Sequence, residues 1–409
     1  MRRPRPRTPD AGAGRRVCAA VRWLLAAAAC CTSGTGCGST PSLPAIRPSA
    51  EQDPRLAAVE FGLVSLGEAP WDGFTMPVVA GDASAIAVQA DSAPDWPTRL
   101  GTGDAPAQRC GSVAVHPIGA GGLGKPTTAG PDLLLGRCWL DGPHGGVLVE
   151  QPLAGGARRL GLLAASDGGV QWLLDDGSAN TGAWIAPHGE RILLTWCRRS
   201  PGTTAWSIDQ AAFDRRGDAW TPCADGAGPA LAAAAGVEWT GPCVVDGLLT
   251  ALQLRDGVLR LIAFDASEAR SEPALVRSTL LSMRGTREAA WQCVNGLGPT
   301  CSVGGELAFL HPRFNRLARW SPRTADAPTL LPEGTTGILR CGEHCLWSTG
   351  DRVWACRGSE PDPSRRVLVA EGTWILMHAG NDLAILAKPA GRALRVYRLN
   401  FVKAPSSAT

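Results

Sequence analysis

Beyond residue 70 this chain never sustains a capped helical pattern for more than about two turns. What it repeats instead, as far as Leu399, is a short apolar run closed by Gly, Asp, Pro or Asn. Extended segments joined by tight turns are the regular structure open to such a chain. Residues 225–237 come nearest to a helix, and their Gly and Pro argue for a loop. Three hairpins stand out. Leu248–Arg255 leads through Asp256-Gly257 into 258–264, and Asp-Gly between β-prone runs suits a type I′ turn, whose two central residues take positive φ. Residues 383–387 and 393–399 flank a Pro389-Ala390-Gly391 turn, and 345–347 and 352–354 flank Ser-Thr-Gly-Asp.

The extended runs recur. Openings at 170–174, 237–239, 290–293, 338–341 and 374–376 lie roughly 35 to 65 residues apart, the period of a propeller blade of about four short strands. The reason is coverage: one four-stranded sheet cannot bury both faces alone, so copies must flank it, and the series closes into a circle. The expected fold is all-β, a six- or seven-bladed β-propeller over 71–402, with 403–409 as a disordered tail. Residues 56–66 read as a short helix or a first strand, and 56–64 are expected to pair with the last strands near 393–399, closing the ring. The 15 Trp against a single Tyr are read as packing between sheets, because Trp favours strands and tolerates one wet edge.

A resemblance follows from the residues. Gly182-Ala183-Trp184-Ile185-Ala186-Pro187-His188-Gly189-Glu190-Arg191-Ile192-Leu193-Leu194 resembles the Trp-Ser-Pro-Asp-Gly-Lys-x-Ile-Ala blade motif of TolB-type, WD40-like bacterial propellers, with His188 where that family carries Asp. Residues 76–88 are a looser match. The resemblance implies a propeller and speaks to fold rather than activity.

An address precedes the repeats. Arg2, Arg3, Arg5, Arg7, Arg15 and Arg16 form a cationic stretch, followed by an uncharged run over 23–31 that is too short to span a bilayer. Small residues over 32–36 then lead into Cys37. This is the layout of a secretory signal, and Gly34-Thr35-Gly36-Cys37 is similar to a bacterial lipobox. Cys37 is the expected lipidation site, with Cys30, after Ala27-Ala28-Ala29, as the alternative. The domain reading is a lipoprotein signal peptide over 1–36, then lipid anchor, flexible spacer and ring-closing strand over 37–70. The expected location is the bacterial cell envelope, lipid-anchored, facing periplasm or cell surface.

Cysteine usage points the same way. Cys18, Cys30 and Cys31 leave with the signal and Cys37 takes the lipid. Ten of the 14 then remain in the domain: Cys110, Cys138, Cys197, Cys223, Cys243, Cys293, Cys301, Cys341, Cys345 and Cys356. An even number suits a paired, exported domain. Cys110–Cys138, Cys197–Cys223 and Cys293–Cys301 are attractive local pairs, each able to tie neighbouring strands.

Chemistry leaves few marks. No nucleophile elbow, paired-histidine zinc helix, phosphate-binding Gly-rich loop or calcium loop is present. His116, His144, His188, His311, His344 and His378 are scattered over turns and strand ends, where solvation is expected. Cys341-Gly342-Glu343-His344-Cys345, with Cys356 beyond, carries the residue types of a zinc site but lacks a second matching pair, and disulfide chemistry is the expected reading. Asp175-Asp176-Gly177 reads as a hairpin turn, and Arg158-Arg159 and Arg198-Arg199 as charges guarding strand edges. No catalytic residue, metal or cofactor is expected. A net charge of +3 gives the chain no field for nucleic acid. The expected partners are the membrane, through the anchor, and an envelope protein or glycan bound without catalysis. The alternatives are a propeller hydrolase or lyase with an axial active site, and a structural scaffold of an envelope complex.

Overall fold

The computed structural model describes residues 59–403 apart from 74, 91–110, 143, 200–204, 233, 235, 266–273, 287–289, 291–292, 294–301, 304–305 and 381–382. The signal-like segment, Cys30, Cys37, Cys110 and Cys301 lie outside the described residues. Turn chemistry sets the register. Asp256 and Gly257 both take positive φ, 49° and 77°, and the strands they join pair Arg255 with Val258.

The strand order resolves into seven four-stranded antiparallel units among the described residues. The first holds β2 (Val78–Val79), β3 (Ala85–Ala90), β4 (Gly111–Gly119), with β5 (Gly122–Leu123) paired to β4, and the first half of β6 (Thr127–Leu140). The second half of β6 passes into the next unit, β7 (Gly146–Pro152), β8 (Arg158–Ala164) and β9 (Val170–Leu174). The third is β10 (Ala179–His188), β11 (Arg191–Arg199), β12 (Ser207–Arg216) and β13 (Ala219–Leu231). The fourth is β14 (Val237–Val245), β15 (Leu248–Arg255), β16 (Val258–Asp265) and β17 (Ala274–Ser282). The fifth is β18 (Ser302–Val303), β19 (Glu306–His311), β20 (Arg316–Trp320) and β21 (Thr329–Leu330). The sixth is β22 (Gly337–Cys341), β23 (His344–Ser348), β24 (Arg352–Arg357) and β25 (Val367–Glu371). The last joins β26 (Ile375–Ala379), β27 (Leu383–Ala390) and β28 (Ala393–Lys403) to the first strand of the chain, β1 (Val59–Pro70).

That last pairing closes the ring: β1 runs antiparallel to β28 from Val59 opposite Lys403 to Pro70 opposite Ala393. The opening strands of neighbouring units also meet side by side, β2 with β6, β6 with β10, β10 with β14, β22 with β26 and β26 with β2, which places them around one axis. Apolar cores fill the seams. Ile192, Leu194 and Phe213 of the third unit pack against Leu148 and Leu160 of the second. Phe309 and Trp320 share one core with Leu252 of the fourth unit and Trp347 of the sixth, and Leu346 and Val369 of the sixth pack against Leu386 and Leu399 of the last. Trp196, Trp320 and Trp347 are among the largest fully buried side chains. Each buried side chain of this size contributes about 1.5–3 kcal/mol, so the seams hold the ring. An all-β ring of four-stranded sheets closed by the pairing of its first and last strands is a β-propeller, and its units are blades.

Several expectations change. Residues 225–231 continue strand β13 rather than forming a loop, with register shifts in its pairing to β12. The run 170–174 is the outer strand β9, not a blade opening, and Ala290 and Cys293 are helical. β14, β22 and β26 do open blades. Pro389 and Ala390 belong to β27, and the turn narrows to Gly391-Arg392 because Ala390 pairs with Ala393. Asp175-Asp176-Gly177 links two blades instead of turning within one. Arg158-Arg159 and Arg198-Arg199 sit on β8 and β11, which have partners on both sides, so they guard no edge.

Candidate functional site

Three opening strands share a defect. β6 shifts register between Leu135 and Trp139, β10 between Thr181 and Trp184, and β14 between Thr240 and Cys243. A bulge leaves an amide without its ladder partner, and Gly182 and Gly241, both at φ 61°, supply the left-handed conformation two of the bulges need. In each case a side chain from the second strand of the preceding blade reaches the bulge. Gln89 on β3 accepts from the Leu135 amide at 2.6 Å and donates to the Leu133 carbonyl at 2.9 Å. Glu150 on β7 accepts from the Gly182 amide at 2.8 Å and the Thr181 hydroxyl at 3.1 Å, and pairs with Arg158 at 3.0 Å. Cys197 on β11 faces the Gly241 amide, which pulls the thiol down while burial, the larger effect, pushes it up to about 12.

The second and third blades add a polar seam around Glu150. Asn180, fully buried, donates to the Arg158 carbonyl and Asp176 and accepts from the Trp196 indole at 3.0 Å. Burial pushes the Asp176 carboxyl up, but hydrogen bonds from Asn180 and Ser178 and the charge of Arg198 outweigh it and hold the group below the ordinary range. Arg198 also pairs with buried Asp209 at 3.0 Å. Each of these charges has an ion-pair partner, and the Glu150 and Asn180 contacts tie the two blades together.

At the axis, Asp82, Asp141 and His378 lie within electrostatic reach of one another. Burial pushes His378 below its usual range, with Asp141 and Asp82 pulling it up less strongly. Both carboxylates are engaged, Asp141 accepting from the Gly81 amide at 2.7 Å and Asp82 from the Ser84 amide at 2.9 Å. Separately, Arg137, Trp184, Pro242, Leu261 and Phe309 line a crevice with about 410 Å³ of free space including the open solvent at its mouth. Its wall is mostly apolar, with Arg137, Cys243 and Cys293 among its residues.

The rim differs. β17 is the outer strand of the fourth blade, and no described strand pairs with its free edge. Leu275 (62%), Val276 (41%) and Leu280 (47%) on it and Met283 (69%) just past its end are exposed, four of the six large exposed apolar residues among those described. Scattered single apolar residues on a surface are ordinary; a run of them on one unpaired edge is not.

The sequence-named residues disperse. Cys341 donates to the Leu383 carbonyl, Cys345 faces Cys356 across β23 and β24, and His344 stacks on Phe401, so they converge on no common point. Among the described residues no group of three His, Cys, Asp or Glu side chains is placed to hold a metal. Cys197 and Cys223 cannot bridge, because β12 lies between their strands and two inter-strand spacings, about 9.5 Å, exceed disulfide reach. Cys243 bonds to the Thr250 hydroxyl at 2.8 Å, and Cys138 accepts from the Ile185 amide at 3.2 Å. His116 and His311 are buried rather than solvated, and burial pushes both below the usual histidine range. His188 is exposed at the β10–β11 turn. Sequence reading missed Gln89, Glu150 and β17. The doublets Thr181-Gly182 and Thr240-Gly241 were the available signal for the capped bulges.

No family model and no curated protein matches the chain. Among solved structures it is similar to the AfRom2 CNH domain (9% identity, covering 83% of this chain and 94% of that one, TM-score 0.38). It is also similar to the Dos1 propeller (11% identity, 83% and 95% covered, TM-score 0.41). A third similarity is to a structure from a study of two prolyl endopeptidases (14% identity, 83% and 48% covered, TM-score 0.42). The chain's own strand order and ring closure define it as a β-propeller.

Proposed function

We propose that this chain is an exported, lipid-tethered propeller of a bacterial envelope that binds a partner protein without catalysis, and that the partner docks along the rim at β17. The observation that carries the docking site is the exposed aliphatic strip on an edge whose main-chain groups meet no described strand. Between its bulges at Val276 and Leu281, such an edge accepts a short extended segment, with main-chain hydrogen bonds giving affinity and the exposed Val276 and Leu280 giving selectivity. A glycan would call for aromatic platforms, which the strip lacks. The tether rests on the cationic, apolar and small-residue succession before Cys37.

Capture from the envelope fraction with wild type and with the double variant Val276→Lys/Leu280→Lys tests the docking. Wild type is expected to retain an envelope protein that the variant loses. Equal retention by both, or no retention together with cleavage of a sugar or ester panel, contradicts the proposal. For the tether, Cys37→Ser is expected to move the protein from membrane to soluble fractions, and unchanged membrane retention would remove Cys37 as the anchor.

A further inference from the structure

Cys345 and Cys356 stand directly opposite each other in the antiparallel pair β23–β24. We infer that they form a cross-strand disulfide that clamps the middle of the sixth blade. Opposed residues on adjacent strands hold their Cβ atoms about 4.5–5.5 Å apart, close enough for a modest approach to reach the geometry of a disulfide. Both side chains are fully buried and contribute to one core. The Cys345 thiol donates to the Leu346 carbonyl at 4.0 Å, and the neighbouring Cys356 thiol, ahead of burial, pushes it well above its usual range. Cys356 in turn donates to the Glu360 carbonyl at 3.0 Å. The two thiols therefore lie side by side across the strand pair. Along the ladders Cys341 stands opposite His344, Cys243 opposite Thr250 and Cys197 opposite Ile208.

The oxidant is a small or protein disulfide. The thiolate of one cysteine attacks it, releasing one thiol and forming a mixed disulfide. The other cysteine, as thiolate, then displaces the second thiol. The two protons lost by the cysteines end on the released thiols, and the oxidant's sulfur–sulfur bond is replaced by that between Cys345 and Cys356. Because both sulfurs are sealed in the folded core, exchange takes place while the blade forms, and the finished bond is shielded from reductant.

The test is refolding of the reduced full chain in a glutathione redox buffer, followed by alkylation and peptide mapping without reduction. Cleavage after arginine places Cys345 in 341–352 and Cys356 in 353–357, and cleavage after Glu343 separates Cys345 from Cys341. The expected result is a linked pair two mass units lighter than its separate peptides and joined through Cys345, with a melting temperature several degrees above that of Cys345→Ala/Cys356→Ala. Alkylation of both cysteines, or linkage of Cys356 to Cys341 or another cysteine, overturns the inference. If the double variant fails to refold, the mapping of wild type alone still decides.

Discussion

The seams among the first four blades and the seam between the sixth and the last are built from different materials. In the former, bulged strands β6, β10 and β14 point stray amides at the preceding blade, and polar or thiol side chains meet them. In the latter, the opening strand β26 also shifts register, between Leu376 and His378, but the seam is filled by apolar side chains, Leu339, Val353, Leu376 and Leu399, with Trp374 edge-on to Tyr397. A bulge fixes how one blade meets the next, but makes the joint depend on a single buried partner. An apolar seam spreads the same load over many contacts. The difference shows why a closed ring can mix strict and tolerant joints.

Substitutions at the three caps sharpen this comparison. Glu150→Ala should cost most, about 3–5 kcal/mol, because it strands Arg158 and the Gly182 amide inside the seam. Gln89→Ala should cost about 1–3 kcal/mol, the penalty of unpaired neutral groups. Cys197→Ala should cost about 1 kcal/mol, since a weakly polar thiol is replaced by a smaller apolar group. Urea unfolding of the three variants checks the ranking, and equal costs would break the comparison. Smallest of all, Val276→Lys/Leu280→Lys should change stability by about 0.5 kcal/mol or less, because these side chains face solvent.

Much of the ring can be read from residues alone. Asp256-Gly257 sets a hairpin by its own backbone preference, and the apolar residues of 59–66 continue a sheet wherever an edge awaits them; both signals are local. The capped bulges are not, since Glu150 and Gly182 lie 32 residues apart and meet only when two blades stack. Cysteine pairing fails for the same reason: Cys197 and Cys223 look close along the chain, but β12 separates them. Asp225 to Leu231 carries Gly and Pro yet stays extended, because pairing with β12 outweighs weak local preference. The exposure of β17 depends on which strand ends a sheet, which short apolar runs leave unmarked.

The docking claim is tested most directly by amide hydrogen exchange of the propeller alone and with the envelope protein it captures. An added strand predicts new protection within Ala274–Ser282, with the turns around Asp82 and Asp141 and the stretch of β26 around His378 unchanged. Protection at those axial segments, with β17 exchanging as before, would contradict it.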